Sequence, residues 1–145
     1  MIGLIQRVSR ACVSTGGRRL GEIGRGTLAL IGVRRGDDRG AADRLLERLL
    51  AYRIFADADG RMNLSLQAVG GGLLLVPQFT LAADTHKGTR AGFSTAAPPE
   101  AARELFAYLL ERAQSAHSPV AAGEFGEDMQ VELVNDGPVT FWLET

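Results

Sequence analysis

The sequence predicts an α+β fold: a mostly antiparallel β-sheet, barrel-like or split into two sheets, carrying two main helices. Three observations point there. About eight short runs read as strands, only two segments carry a helical repeat, and strands and helices do not alternate in a regular βαβ rhythm. With 145 residues, 46% of them apolar, residues 1–145 are expected to form one domain around a sizeable core.

The chain opens as β structure. Ile2, Leu4 and Val8 alternate as in a strand, and Ala11 to Ser14 can pair with Arg18 to Ile23 through a hairpin turn at Gly16-Gly17. Thr27 to Val33 is a nearly continuous apolar run, which predicts a central strand buried on both faces. Either Asp37 or Asp38 can cap the helix that follows. Its apolar face is Ala42, Leu45, Leu46, Leu49 and Leu50, and it is expected to end near Ile54. Asp57 to Gly60 reads as a turn, and Gly70 to Gly72 lead into a second buried strand, Leu73 to Val76. Ala82 to Ala97 lacks apolar periodicity and is expected to be a long loop, the kind of segment that often holds function. Pro98-Pro99 opens the second helix, with Leu105, Phe106, Leu109, Leu110 and Ala113 on one face, and Ser118-Pro119 stops it. Gly123 and Gly126 bracket a turn before a closing hairpin, Met129 to Glu144.

That hairpin is unusual. Asp136-Gly137 suits a type I′ turn, but Pro138 then removes a backbone donor where the returning strand should begin. Two readings stay open: an ordinary strand-end turn, or a cis Gly137-Pro138 bond presenting main-chain carbonyls outward.

Composition excludes several classes of function. The charge is nearly balanced, 16 basic against 17 acidic residues, so no overall basic field drives indiscriminate nucleic-acid binding. Any RNA contact would be local, with Arg18-Arg19, Arg34-Arg35, Lys87 and Arg90 as candidates. Cys12 is the only cysteine, expected in the core, and no internal disulfide can form. The longest apolar runs fall far short of the ~20 residues a membrane span needs. Apolar residues precede Arg7 and Arg10 at the N-terminus, the reverse of a secretory signal, so no membrane association and a cytoplasmic location are expected. His86 and His117 are the only histidines, without evident partners, which argues against a hydrolytic triad. One Cys and two distant His give no metal-ligand spacing, and no metal or other cofactor is expected. Gly21 to Gly26 lacks the spacing of a dinucleotide loop, and Gly36-Asp37-Asp38 lacks the Gly-Lys of a phosphate loop.

What remains is Arg7 on the first strand, Gln78-Phe79-Thr80 after a buried strand, Met129, and Asn135 to Thr140. Pro77-Gln78-Phe79-Thr80-Leu81 and Asn135-Asp136-Gly137-Pro138-Val139-Thr140 resemble the two hallmark motifs of the D-aminoacyl-tRNA deacylases, Ser-Gln-Phe-Thr-Leu and Asn-x-Gly-Pro followed by Val or Phe and Thr. The similarity also runs through Met1 to Val8, Tyr52 to Phe55, Gly60 to Leu64, Ala82 to Asp84 and Asp128 to Val131, which is essentially the whole length.

The resemblance implies a homodimeric ester hydrolase acting on the 3′ end of D-aminoacyl-tRNA, with each Gly-cis-Pro turn reaching into the partner's site. It implies that Gly137 and Pro138 judge chirality by main chain and that Arg7 holds their turn. Main-chain donors near Phe79 and Thr80 would stabilise the oxyanion, Gln78 would bind the ribose or ester, and Phe79 and Met129 would line an adenosine pocket. Glycine esters would also be cleaved. One departure stands out: Pro77 replaces the motif's serine and has no hydroxyl. If a serine nucleophile were required there, the chain would be a binding module without turnover. If the tRNA's 2′-hydroxyl assists water, activity survives. A related proofreader with a trans Gly-Pro turn is a third reading.

Overall fold

The computed structural model describes residues 1–145. β1 (Ile2–Thr15) and β2 (Arg18–Ile23) form the expected hairpin. Gly16 and Gly17 take φ of 53° and 79°, the two positive values a type I′ turn demands. β1 is long enough to serve two partners on one edge: β3 (Gly26–Gly32) pairs along Ile2 to Val8, and β2 along Ala11 to Thr15.

After β3 comes α1 (Arg39–Ala51). Asp38 supplies its cap, accepting from the Ala41 N–H at 2.8 Å, while Asp37 accepts from the Arg34 N–H instead. Replacing Asp38 by Ala is expected to lower unfolding stability by about 1 kcal/mol, read by urea denaturation, because one orphan donor loses its acceptor. The helix ends three residues before the expected Ile54. Tyr52 is already extended, and Ile54 belongs to β4 (Arg53–Ala56), which pairs with β5 (Met62–Ser65) across the Asp57 to Gly60 turn. Sheet pairing there overrides the helical repeat.

A short helix, α2 (Leu66–Val69), closes on Gly70 at φ 60°, and β6 (Gly72–Pro77) follows. β6 lies parallel to β3, and the backbones touch: a Cβ on Gly26 would sit 2.0 Å from the Gly72 carbonyl oxygen. A 3-10 turn, Phe79–Ala82, leads into the long loop, and then α3 (Pro99–Ala116) runs back to β7 (Val120–Ala122), parallel to β6. Two parallel crossovers are therefore present in a sheet whose other pairings are antiparallel. The β4–β5 insertion and the long loop hide their βαβ rhythm in the sequence. β2 approaches β7 without pairing, a Cβ on Gly21 falling 3.0 Å from the Ala121 Cβ, so the sheet nearly closes into a barrel.

Alternation along β3 and β6 divides the core in two. Leu28, Leu74 and Val76 join Val8, Val13 and Ile23 inside the barrel, whereas Ala29, Ile31, Leu73 and Leu75 meet α1 and α3 outside it. Both runs are buried on both faces, as their continuous apolarity predicts. Tyr108 of α3 donates to the Asp43 carboxylate of α1 at 3.0 Å, and burial, then that carboxylate, pushes its hydroxyl above the ordinary tyrosine range. Cys12 departs from expectation: it is half-buried and outside both clusters, because Ala11 and Val13 take the inward positions on either side of it.

The closing segment corrects a larger expectation. It is no hairpin. β8 (Gln130–Glu144) is one strand, antiparallel to β1 from Gln130 opposite Ser14 to Glu144 opposite Ile2. Asp136 to Val139 are extruded from the ladder opposite Arg7, between the Val8–Asn135 and Gln6–Thr140 pairs. β1 is long enough to template both apolar runs, so the Gly-Pro bond forms a loop within one strand.

Candidate functional site

Two groups of the sequence-selected residues assemble, at separate places. The first surrounds a cleft of about 500 Å³ at the carboxyl ends of the parallel strands β3 and β6. Ligands of α/β sheets bind at such strand ends, and the volume suits a small molecule. Pro77, Gln78, Phe79 and Met129 all line it. Gln78 donates its main-chain N–H to the Ile31 carbonyl at 2.8 Å and its side-chain amide to Thr80 Oγ1 at 2.5 Å. Because the 3-10 turn begins at Phe79, its first ladder donor is Leu81, bonding the Gln78 carbonyl. The N–H groups of Phe79 and Thr80 precede that donor and have no partner within the turn. Met129 lies over Gly123, where a Cβ would fall 2.8 Å from its sulfur, so any side chain at 123 would displace the thioether from its place beside Pro77.

Several lining residues were not visible as functional in the sequence. Phe125 packs at 6.4 Å from Phe106 and under the Arg103 guanidinium at 5.0 Å, and Glu127 and Asp128 bring acidic side chains to the rim. In the sequence Gly123 and Gly126 marked a turn there, and Asp128 stood out only within the resemblance over Asp128 to Val131.

The second group is the extruded loop of β8. Its Gly137-Pro138 peptide is cis, as is Ser118-Pro119, and Gly137 and Pro138 are exposed. Main chain at the tip is held from below. Arg7 donates through Nε to the Asp136 carbonyl at 2.8 Å and through Nη1 to the Ile54 carbonyl at 2.7 Å. The Asp136 carboxylate also lies 3.5 Å from Arg7 Nε. Asn135 Oδ1 accepts from the Val139 N–H at 2.7 Å, and Asn135 Nδ2 donates to Thr140 Oγ1 at 3.0 Å. Val139 itself is buried in the core beneath. Thus Arg7, Asn135 and Val139 fix an exposed two-residue stretch of backbone.

The two groups do not meet within one chain. Pro77 is level with Ile31 and Gly3, whereas Arg7 is level with Thr27, four residues away along the strands. At about 3.3 Å per residue this separates them by roughly 13 Å, before the step across β1 to β8.

The histidines do have partners. His86 N–H and Nδ1 both contact Asp84 Oδ1, at 3.0 and 2.7 Å, and His117 Nε2 contacts the Gly71 carbonyl at 2.7 Å. The His86 backbone N–H, then its ring, holds the Asp84 carboxyl below its ordinary value. Of the basic candidates, Arg18 pairs with Glu124, Arg19 with Glu22, and Arg34 with Glu144, which spends their charge on the chain itself. No three His, Cys, Asp or Glu side chains are grouped as metal ligands, and no helix is long and apolar enough to cross a membrane.

Against known proteins, residues 4–144 match the family described as D-Tyr-tRNA(Tyr) deacylase. A protein of Pseudomonas savastanoi pv. phaseolicola named D-aminoacyl-tRNA deacylase is 61% identical over 145 residues, covering 100% of both chains. One of the same name from Thioalkalivibrio sulfidiphilus is 64% identical, covering 99% of this chain and 97% of its own. Among solved structures, one titled c-Myc DNA Unwinding Element Binding Protein superposes with a TM-score of 0.95 at 35% identity, covering 100% of this chain and 99% of its own. Another, titled as a probable eukaryotic D-amino acid tRNA deacylase, gives 0.83 at 17% identity over 99% and 98% of the two chains and shares the fold.

Proposed function

This chain belongs to the D-Tyr-tRNA(Tyr) deacylase family, and we propose that it hydrolyses the ester of D-aminoacyl-tRNA, with chirality judged by the main chain of Gly137 and Pro138. The observation that carries the activity is the match to the family and its named relatives over the whole chain. The mechanism is supported by the two groups of residues.

The terminal adenosine enters the cleft against Phe79 and Met129, with Gln78 at its ribose or ester. Water attacks the ester carbonyl carbon, and the oxyanion that forms accepts from the main-chain N–H groups at Phe79 and Thr80. One such donor is worth about 10²–10³ in rate. The carbon–oxygen bond to the ribose then breaks, releasing the D-amino acid and the tRNA 3′-end hydroxyl. An activated ester needs no strong protein nucleophile, so the substrate's own 2′-hydroxyl can assist the water. Pro77 is compatible with that course and incompatible with a serine nucleophile at this position.

A proofreader that accepts many D side chains cannot use a side-chain pocket, which gains only about 1–3 kcal/mol per methylene. It must test the α-carbon directly. Carbonyls at Gly137 and Pro138 crowd the direction an L side chain takes and leave the D direction open. Since the loop and the cleft lie apart in one chain, we propose that a second copy brings its loop to the cleft, as a homodimer with the site at the interface.

The test is a deacylation assay with matched D-tyrosyl-, L-tyrosyl- and glycyl-tRNA. D-tyrosyl- and glycyl-tRNA are expected to be cleaved, since glycine presents no side chain to the rejecting carbonyls, and L-tyrosyl-tRNA to persist. Equal rates for D and L would overturn the chirality mechanism. Binding of D-tyrosyl-tRNA without turnover, restored by Pro77→Ser, would favour the binding-module reading.

A further inference from the structure

The long loop carries a feature that the chemistry above leaves unused. Phe79 is 57% exposed and Phe93 44% exposed, and their rings pack at a centroid distance of 4.9 Å with planes 38° apart. Phe79 lines the cleft, whereas Phe93 is not among the lining residues and extends the aromatic surface beyond the rim. Together the two exposed rings offer a flat apolar surface on which another planar group can lie.

Phe93 is held ready. Asp84 and Gly92 exchange two backbone hydrogen bonds, of 2.8 and 2.9 Å, which pinch the neck of the loop immediately before it. On its other side the Phe93 carbonyl accepts from the Ala96 N–H at 3.2 Å, and Arg35 Nε donates to the Ser94 carbonyl at 3.2 Å. The pinched loop carries Lys87 and Arg90, both exposed. Flat apolar faces beside cations are the combination that binds single-stranded nucleic acid, the rings taking bases and the cations the phosphates.

We infer that Phe93, packed against Phe79, is a stacking platform for the nucleotide preceding the terminal adenosine, with Arg35, Lys87 and Arg90 meeting its backbone. This rests on the adenosine lying in the cleft. With that base seated against Phe79, the next base of an unpaired 3′ end emerges at the rim, where Phe93 waits. Stacking tolerates any base, so the platform adds affinity without reading sequence.

The experiment measures kcat and KM of the wild-type protein, Phe93→Ala, Phe93→Leu and Phe93→Trp on two substrates: D-tyrosyl-tRNA, and D-tyrosyl ester of adenosine alone. For the tRNA, Phe93→Ala and Phe93→Leu are expected to raise KM about tenfold. Their kcat stays within about twofold, because a remote stack binds ground and transition states alike. Phe93→Trp retains wild-type KM. The adenosine ester, which has no preceding base, shows the same KM with all four proteins. Equal losses on both substrates, no loss on either, or a Leu variant that behaves as wild type would overturn the platform. So would a change in oligomeric state on size-exclusion chromatography accompanying the Ala variant, which would make Phe93 a subunit contact. A wild-type protein that cleaves neither substrate would overturn the deacylase reading itself.

Discussion

Gly137→Ala is expected to lower kcat/KM on D-tyrosyl-tRNA by about 10²-fold while leaving the protein folded. Gly137 has φ of 143°, a region that residues with a Cβ rarely enter. Space forbids the methyl as well: it would fall 2.7 Å from Val139 Cγ2, 3.0 Å from Arg7 Nη2 and 3.0 Å from the Val139 nitrogen. Neither neighbour can give way cheaply. Val139 is buried in the core, and Arg7 is committed to two carbonyls. The loop itself must shift, and a displacement near 1 Å is enough to cost two orders of magnitude at a site that works by position. Because the loop is extruded from the ladder, the global cost is limited to about 1–3 kcal/mol of local backbone strain. Thermal unfolding and steady-state kinetics on the same preparation separate the two effects. Undiminished turnover by the Ala variant would show that this loop takes no part in the reaction.

How much of this was legible in the sequence depends on the range of the force involved. Gly16-Gly17, a capping aspartate at 37 or 38 and the faces of α1 and α3 are local, and each follows from its own residues. The double burial of β3 and β6 was legible too, since continuous apolar runs have no solvent side. The end of α1 and the strands β4, β5 and β7 were not, because their pairing partners lie elsewhere in the chain. Most misleading was Asn135 to Thr140. Asp-Gly between two apolar runs is the strongest short-range signal for a hairpin. The outcome was decided by β1, which pairs with both runs, and by Asn135, whose side chain accepts from the Val139 N–H across the neck of the extruded loop. For the site, the motif residues supplied Arg7 and nearly all of the extruded loop but only one edge of the cleft. The apolar wall of the cleft, Phe125 and Phe106 among it, reads as ordinary core in the sequence, because its apolar residues carry no mark of the cavity they line.

Arg7→Lys is expected to reduce the ratio of D-tyrosyl- to L-tyrosyl-tRNA hydrolysis at least tenfold, the effect a loss of about 1.4 kcal/mol in discrimination produces. Arg7 is a brace between two elements: one guanidinium reaches the Asp136 carbonyl on β8 and the Ile54 carbonyl on β4. Two donors fixed in a plane hold those carbonyls at a set separation. A lysine ammonium is a single point on a flexible stem and cannot satisfy both in that geometry. The competing account makes Arg7 an ordinary surface ion pair with Asp136, whose carboxylate is 3.5 Å away and 56% exposed. An exposed pair of that kind contributes about 0–1 kcal/mol. Asp136→Asn decides between the two, since it removes the carboxylate and leaves the main-chain carbonyl. On the brace account Asp136→Asn keeps the wild-type D-to-L ratio while Arg7→Lys loses it. The direction of loss is informative in its own right: a loosened loop lets its carbonyls yield to an L side chain, so L-tyrosyl-tRNA hydrolysis should rise as D-tyrosyl-tRNA hydrolysis falls. If the ratio instead drops in Asp136→Asn and holds in Arg7→Lys, charge and not main-chain bracing controls the loop.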